Sequence, residues 1–180
     1  MRSRSDSLEF ALLGLLTQSS LHGYELRKRM IVIYGPFRAL SFSVLYPQLR
    51  RMMEAGLIRE TLVENGRLSR RARIVYEITE QGQTRFAQLT ESSGPENWED
   101  DSFEVRFAFF GPTPQRNRLQ ILEGRHRRLV EKAAILRSEL EKFPADSDRY
   151  LVEWRRHSLE SAEREIVWIE EMINTERKSS

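Results

Sequence analysis

The 180-residue sequence contains no cysteine. Disulfides, thiolate metal sites and cysteine nucleophiles are therefore excluded, and a reducing compartment is permitted. Its three histidines, His22, His126 and His157, are scattered and show no metal-ligand spacing, so no metal is expected. No apolar run approaches the ~20 residues of a membrane span. The first such run, in MRSRSDSLEFALLGLL, is interrupted by Glu9 and followed by no small-residue cleavage site. It reads as a mature helix, not a signal peptide, and a cytoplasmic protein with no membrane partner is expected. GxSxG elbows, Walker loops and dinucleotide fingerprints are also missing, and Glu163 and Glu165 lack the partners that paired-carboxylate catalysis needs. Neither an enzyme nor a cofactor is expected.

What is present is unevenly distributed. The net charge is only +2. Residues 1–90, however, hold 14 Lys and Arg against 8 Asp and Glu, whereas residues 91–180 hold 15 against 19. A basic half beside an acidic half suggests that the first faces a polyanion. With 39% apolar residues the chain can still build a packed core.

Along the chain, SLEFALLGLLTQ opens with a Ser cap candidate, Ser7, and puts Leu8, Ala11, Leu12, Leu15 and Leu16 on one helical side. After the break SSLHG, a second helix at about 22–34 turns Tyr24 and Met30 inward and Arg27, Lys28 and Arg29 outward, and Gly35 and Pro36 stop it. A third helix at about 43–55 groups Leu45, Leu49 and Met52 on one face and is closed by Gly56. Its Pro47 belongs on the outer face, in the first turn, where the backbone N–H groups have no intrahelical partner. Two strands at about 57–63 and 73–78 flank a basic loop, and a fourth helix opens at Thr79 despite Gly82. This is the element order of a winged helix-turn-helix.

Five acids with Gly and Pro in residues 91–102 mark a linker. The short aromatic FEVRFAFF follows, with Phe103, Phe107 and Phe110 on one side. A long helix at about 114–142 then carries Leu119, Leu122, His126, Leu129, Ala133, Leu136, Leu140 and Phe143 as a heptad seam. A last helix at about 147–174 has two apolar rows, Trp154, Ser161, Trp168 and Met172 beside Leu159, Ala162, Ile166, Ile169 and Ile173. Two such helices cannot bury these faces only on each other, so a second subunit is expected. The fold class is mainly α: a winged helix-turn-helix over 1–92 and a coiled-coil-like helical dimerisation domain over 93–180.

Ser41, Ser43, Tyr46, Gln48, Arg50 and Arg51 are the candidate recognition-helix residues for the major groove, and Arg67, Arg70, Arg71 and Arg73 the candidate wing contacts to phosphate or the minor groove. Tyr46 sits laterally, between a phosphate contact and packing against the second helix. Tyr24 is read first as a packing residue, and His126 as a seam residue that fixes register. Tyr24, Trp98, Phe107, Trp154 and Trp168 are the candidates for an effector pocket or interface, although large aromatics also serve simply as core.

Four stretches, ALLGLL, HGYELRKRM, SVLYPQLRRMMEAGLI and RRARIVYEITEQGQTRF, resemble the PadR family of bacterial transcriptional regulators in order and spacing. AFFGPTPQRNRLQILEGR is similar to its long-form, actinobacterial-like members. The chain departs from the SxGxLYP pattern of many members, with Phe42 and Ser43 in that region. The resemblance implies a homodimer bound to double-stranded DNA, usually a repressor, whose operator affinity responds to a small aromatic or apolar effector. The alternative is a protein-interaction module that uses a winged helix without DNA, which has no reason to keep arginines on both the third helix and the hairpin tip.

Overall fold

A computed structural model describes residues 2–35, 42–63, 73–144 and 146–178. The elements are α1 (Arg2–Gln18), β1 (Leu21–His22), α2 (Gly23–Tyr34), α3 (Phe42–Glu54), β2 (Ile58–Val63), β3 (Arg73–Ile78), α4 (Glu80–Thr90), α5 (Asp100–Ala108), α6 (Gln115–Glu141) and α7 (Arg149–Lys178). They form two compact units. The first is Met1–Ser92 with Asp100–Pro114, and the second is Ser93–Glu99 with Gln115–Ser180.

Helix α1 organises the first unit. Leu8, Ala11, Leu12, Leu15 and Leu16 are buried as their spacing requires, but so are Phe10 and Leu13, at 1% and 0% exposure. The helix is enclosed because α2, α3, α4, α5 and β3 all pack on it. It also starts at Arg2, five residues before the expected Ser7 cap, since RSRSD contains no breaker and arginine is a good helix former. Ser7 is thus an interior position, its Oγ 3.3 Å from that of Ser102.

The sheet has the order β1-β3-β2, antiparallel throughout. Its register runs from Ile58↔Ile78 to Val63↔Arg73 on one side of β3, with Leu21↔Tyr76 and His22↔Val75 on the other. The two-residue β1 lies within SSLHG and is too short for alternation to reveal it. Helix α3 ends as its glycine requires. Gly56 has φ +69°, Leu57 N–H donates to the Met52 carbonyl at 2.9 Å, and Gly56 N–H donates to that of Met53 at 2.9 Å. This is a Schellman closure, which needs the left-handed residue glycine supplies. Three helices, a hairpin and α4 give the winged helix-turn-helix.

Residues 100–114 depart from the expected boundary at 92/93. They belong with the first unit, because their apolar side chains complete its core: Val105 is 1% exposed and Phe109 4%. The Phe109 ring meets Phe10 edge-on at 5.4 Å and Phe86 at 6.1 Å, and it lies where a Cβ on Gly14 would be. Arg106 fixes the same helix, with its guanidinium 4.1 Å above the Phe10 ring and a hydrogen bond to the Leu89 carbonyl. The expected linker is likewise structured. Trp98 lies on Gly124 of α6, and Arg125 donates to the Trp98 carbonyl at 3.1 Å and to Glu165 at 2.7 Å.

In the second unit α6 and α7 pack as an antiparallel pair. Leu122, Leu129, Ala133 and Leu136 of the seam are buried against Ala162, Ile169 and Ile173. The ion pairs Arg118–Glu176, Arg177–Glu123 and Arg137–Glu163 and a 3.0 Å contact between His126 Nε2 and Glu170 line their flanks. Being mostly exposed, these set register more than stability. Arg125, 7% exposed, is the buried member of the series.

Gly14→Ala drives a methyl group into the Phe109 ring and is expected to cost about 1–3 kcal/mol. A thermal melt reads this directly; an unchanged midpoint would mean that α5 does not hold this contact in solution.

Candidate nucleic-acid interface

Helix α3 has two faces of different chemistry. Leu45, Gln48, Leu49 and Met52 form the buried stripe, each at 3% exposure or less. Ser43, Val44, Tyr46, Pro47, Arg50 and Arg51 are exposed. Gln48 therefore leaves the set of expected groove contacts. It lies three residues after Leu45 and four before Met52, so it shares their side, and its Oε1 accepts a hydrogen bond from Ser5 Oγ at 3.2 Å. Pro47 is the sixth residue of α3, not a first-turn residue as expected. It lacks the N–H that would reach the Ser43 carbonyl and is accommodated because its ring points to solvent.

Arg50 and Arg51 both project outward, and neither forms an ion pair among the described residues. Arg51 reaches back toward the Pro47 carbonyl at 3.4 Å. Tyr46 is 47% exposed, yet its hydroxyl lies over Gly23, where a Cβ would be 2.9 Å away. It thus packs against α2 while keeping an outer edge. Behind it, Tyr76 of β3 is 5% exposed. Burial first, then the charge and hydrogen bond of Glu60 and the proximity of Tyr46, push its hydroxyl up from 10.0 to about 12.

Arg73 opens β3 opposite Val63. Ser41, Arg67, Arg70 and Arg71 lie outside the described residues. Tyr24 is 64% exposed, against the expectation that it packs inward, because Leu26 and Met30 already fill that side of α2. His22 caps α2, its Nδ1 accepting from the Glu25 N–H at 3.2 Å.

The aromatic candidates are divided between the two units. Tyr24 and Phe107 belong to the first unit, and Trp98, Trp154 and Trp168 to the second. Phe107 stands in a run of rings, 5.9 Å from Phe103 and 4.9 Å from Phe110. Trp154 and Trp168 are 63% and 38% exposed on α7 and separated by four turns, roughly 21 Å at 1.5 Å per residue. The second unit does carry an open groove of ≈ 370 Å³, but Glu123, His126, Arg127, Glu170 and Arg177 line it, and no aromatic does. Among the described residues no His, Cys, Asp or Glu cluster could hold a metal ion, and no helix is long and apolar enough to cross a membrane.

Residues missed by the sequence reading are those that support α3 from a distance: Ser5, Gly23, Glu60 and Tyr76. Ser5 meets Gln48 across 43 positions of the chain, a separation that no local pattern records.

Comparison with known proteins places this surface in context. Residues 12–88 match the model of the Transcriptional regulator PadR-like family. The Negative transcriptional regulator PadR of Bacillus subtilis (strain 168) is 22% identical over 179 residues, spanning 92% of this chain and 95% of the relative. Among solved structures, Bacillus subtilis PadR in complex with operator DNA is 21% identical, covers 94% of this chain and 98% of its own, and has a TM-score of 0.44. The same protein in complex with p-coumaric acid is 20% identical, with 95% and 99% covered and a TM-score of 0.41. The putative transcriptional regulator TA0346 from Thermoplasma acidophilum is 27% identical over 49% of this chain and 81% of that one, with a TM-score of 0.44.

The Tyr76 environment has a pH signature. The folded state holds its proton more tightly than the unfolded chain, whose tyrosines titrate near 10, so this contribution to stability is complete below about pH 10 and is lost as pH rises toward about 12. Urea unfolding between pH 9 and 11.5 should show wild type losing stability more steeply than Tyr76→Phe. Parallel declines would refute the tighter hold of the folded chain on the Tyr76 proton.

Proposed function

We propose that this protein is a homodimeric, sequence-specific DNA-binding repressor, with the outer face of α3 entering the major groove; the match of residues 12–88 to the PadR-like family model supports this reading. One observation carries the reading: α3 buries Leu45, Gln48, Leu49 and Met52 completely and leaves Ser43, Tyr46, Arg50 and Arg51 outside, on the basic half of the chain. Ser43 and Val44 sit at the entering end, suited to base edges and thymine methyl groups, and the two arginines stand behind them for phosphate or guanine. Arg67, Arg70, Arg71 and Arg73, in the sequence between β2 and the start of β3, serve as wing contacts to phosphate and add sequence-independent affinity. No residue is assigned a catalytic role.

The second unit supplies the dimer. In the α7 row Ala162, Ile169 and Ile173 are buried and Leu159 and Ile166 partly buried, whereas Tyr150, Leu151, Trp154, Val167 and Trp168 remain exposed at 38–79%. Large apolar side chains left exposed near both ends of a long helix are what a second copy covers in a two-fold pairing. Dimerisation sets the spacing of two recognition helices on a pseudo-palindromic operator. A small aromatic or apolar effector that binds one dimer geometry better than another would release the DNA through that spacing. The relative solved with p-coumaric acid supports this class of ligand.

A gel shift on the DNA upstream of the protein's own gene, titrated with salt, tests the central reading. Arg50→Ala and Arg51→Ala should each lower affinity and reduce the slope of log K against log salt by about 1. Failure of the wild type to bind any duplex at low salt would sink it. Trp154→Glu should convert the dimer to a monomer in sedimentation experiments; a wild-type monomer at micromolar concentration would contradict the assembly.

A further inference from the structure

We propose that Tyr24 is a further DNA contact, its phenolic hydroxyl donating a hydrogen bond to a backbone phosphate beside the α3 surface. The inference rests on the DNA-binding reading and deepens it. Tyr24 is the second residue of α2 and is 64% exposed, and its hydroxyl makes no hydrogen bond to any described residue. Among the described residues its ring neighbour is His22, at 6.4 Å between centroids. The residue just before it, Gly23, is the point where α3 touches α2, through the Tyr46 hydroxyl. One turn after Tyr46 comes Arg50, and one turn after Tyr24 comes Lys28, both exposed. The Tyr24 side chain thus leaves the protein at the border of the proposed groove-facing surface, flanked by cationic side chains on both helices.

Its position is also fixed. Leu21 and His22 are held in the sheet by Tyr76 and Val75, His22 caps the helix, and Tyr46 leans on Gly23. The backbone amide of Glu25 is already taken by His22, so the start of α2 offers a phosphate a side-chain hydroxyl, not that N–H group. A tyrosine on so rigid a base loses little conformational freedom when it binds. A lysine there would bring charge but not a fixed donor.

The hydroxyl is neutral, which separates its effect from that of the arginines. It releases no counterion, so its loss should lower affinity without altering the salt slope. Phosphates carry no sequence information, so every duplex should be affected alike. The test compares wild type with Tyr24→Phe on the gene's own upstream duplex and on an unrelated duplex of equal length, across a salt series, with thermal melts of both proteins. The expected result is an affinity loss of about three- to tenfold on both duplexes, with unchanged slope and melting temperature. Wild-type affinity in the variant, a loss confined to one duplex, or a loss that tracks a lowered melting temperature would overturn the inference while leaving the DNA reading intact. Wild type that binds neither duplex overturns both.

Discussion

The first unit depends on a helix whose middle turns have no outer face. From Phe10 to Leu16, α1 is buried all round except for the small gap at Gly14, and that gap is filled by a ring from a segment almost a hundred residues later. Phe10, Phe86 and Phe109 meet there at centroid distances of 5.3 to 6.1 Å, with two of the three contacts edge-on, the geometry that aromatic quadrupoles prefer. Helix α3 packs on the same core through Leu45, Leu49 and Met52. The orientation of its exposed side is therefore set by a closely packed apolar interior with little room for adjustment.

This arrangement explains the division of labour on α3. Gln48, polar and buried, is satisfied by Ser5 and so acts as a strut to the first turns of α1. An unpaired amide in that position would be costly, so the bond fixes α3 relative to α1 as well as permitting burial. Tyr46 provides a second strut, toward α2. The residues proposed to face DNA can then be few and simple, because their geometry is determined from behind.

Most of the elements were legible in the sequence, within one to three residues at their ends, because 3.6-residue periodicity and glycine punctuation are local signals. The Gly56 closure of α3 and the α6 seam are cases where spacing alone sufficed. Gln48 was misread although its spacing from Leu45 and Met52 was available; its polarity was weighed above its position. Phe109 was beyond reach for a different reason. Its partners Phe10, Gly14 and Phe86 lie far away along the chain, and an acidic stretch with Gly and Pro resembles a linker whether or not its neighbours fold back. Tyr24 was placed inside on hydrophobic character alone, yet a tyrosine's polar end makes exposure as natural as burial. The wing arginines and Ser41 carry sequence signal only.

The path of the chain between the two units bears on how such a protein can be divided. The backbone leaves the first unit after Ser92, returns at Asp100 and leaves again after Pro114. Trp98 and Arg125 hold the excursion on the second unit, and Val105 and Phe109 hold the return on the first. A fragment ending at Ser92 would carry every residue proposed to face DNA and still present an unfilled aromatic socket on α1. The recognition fold and the segment that completes it are inherited as one piece, so exchanging such a domain between regulators must carry the segment through Pro114 with it.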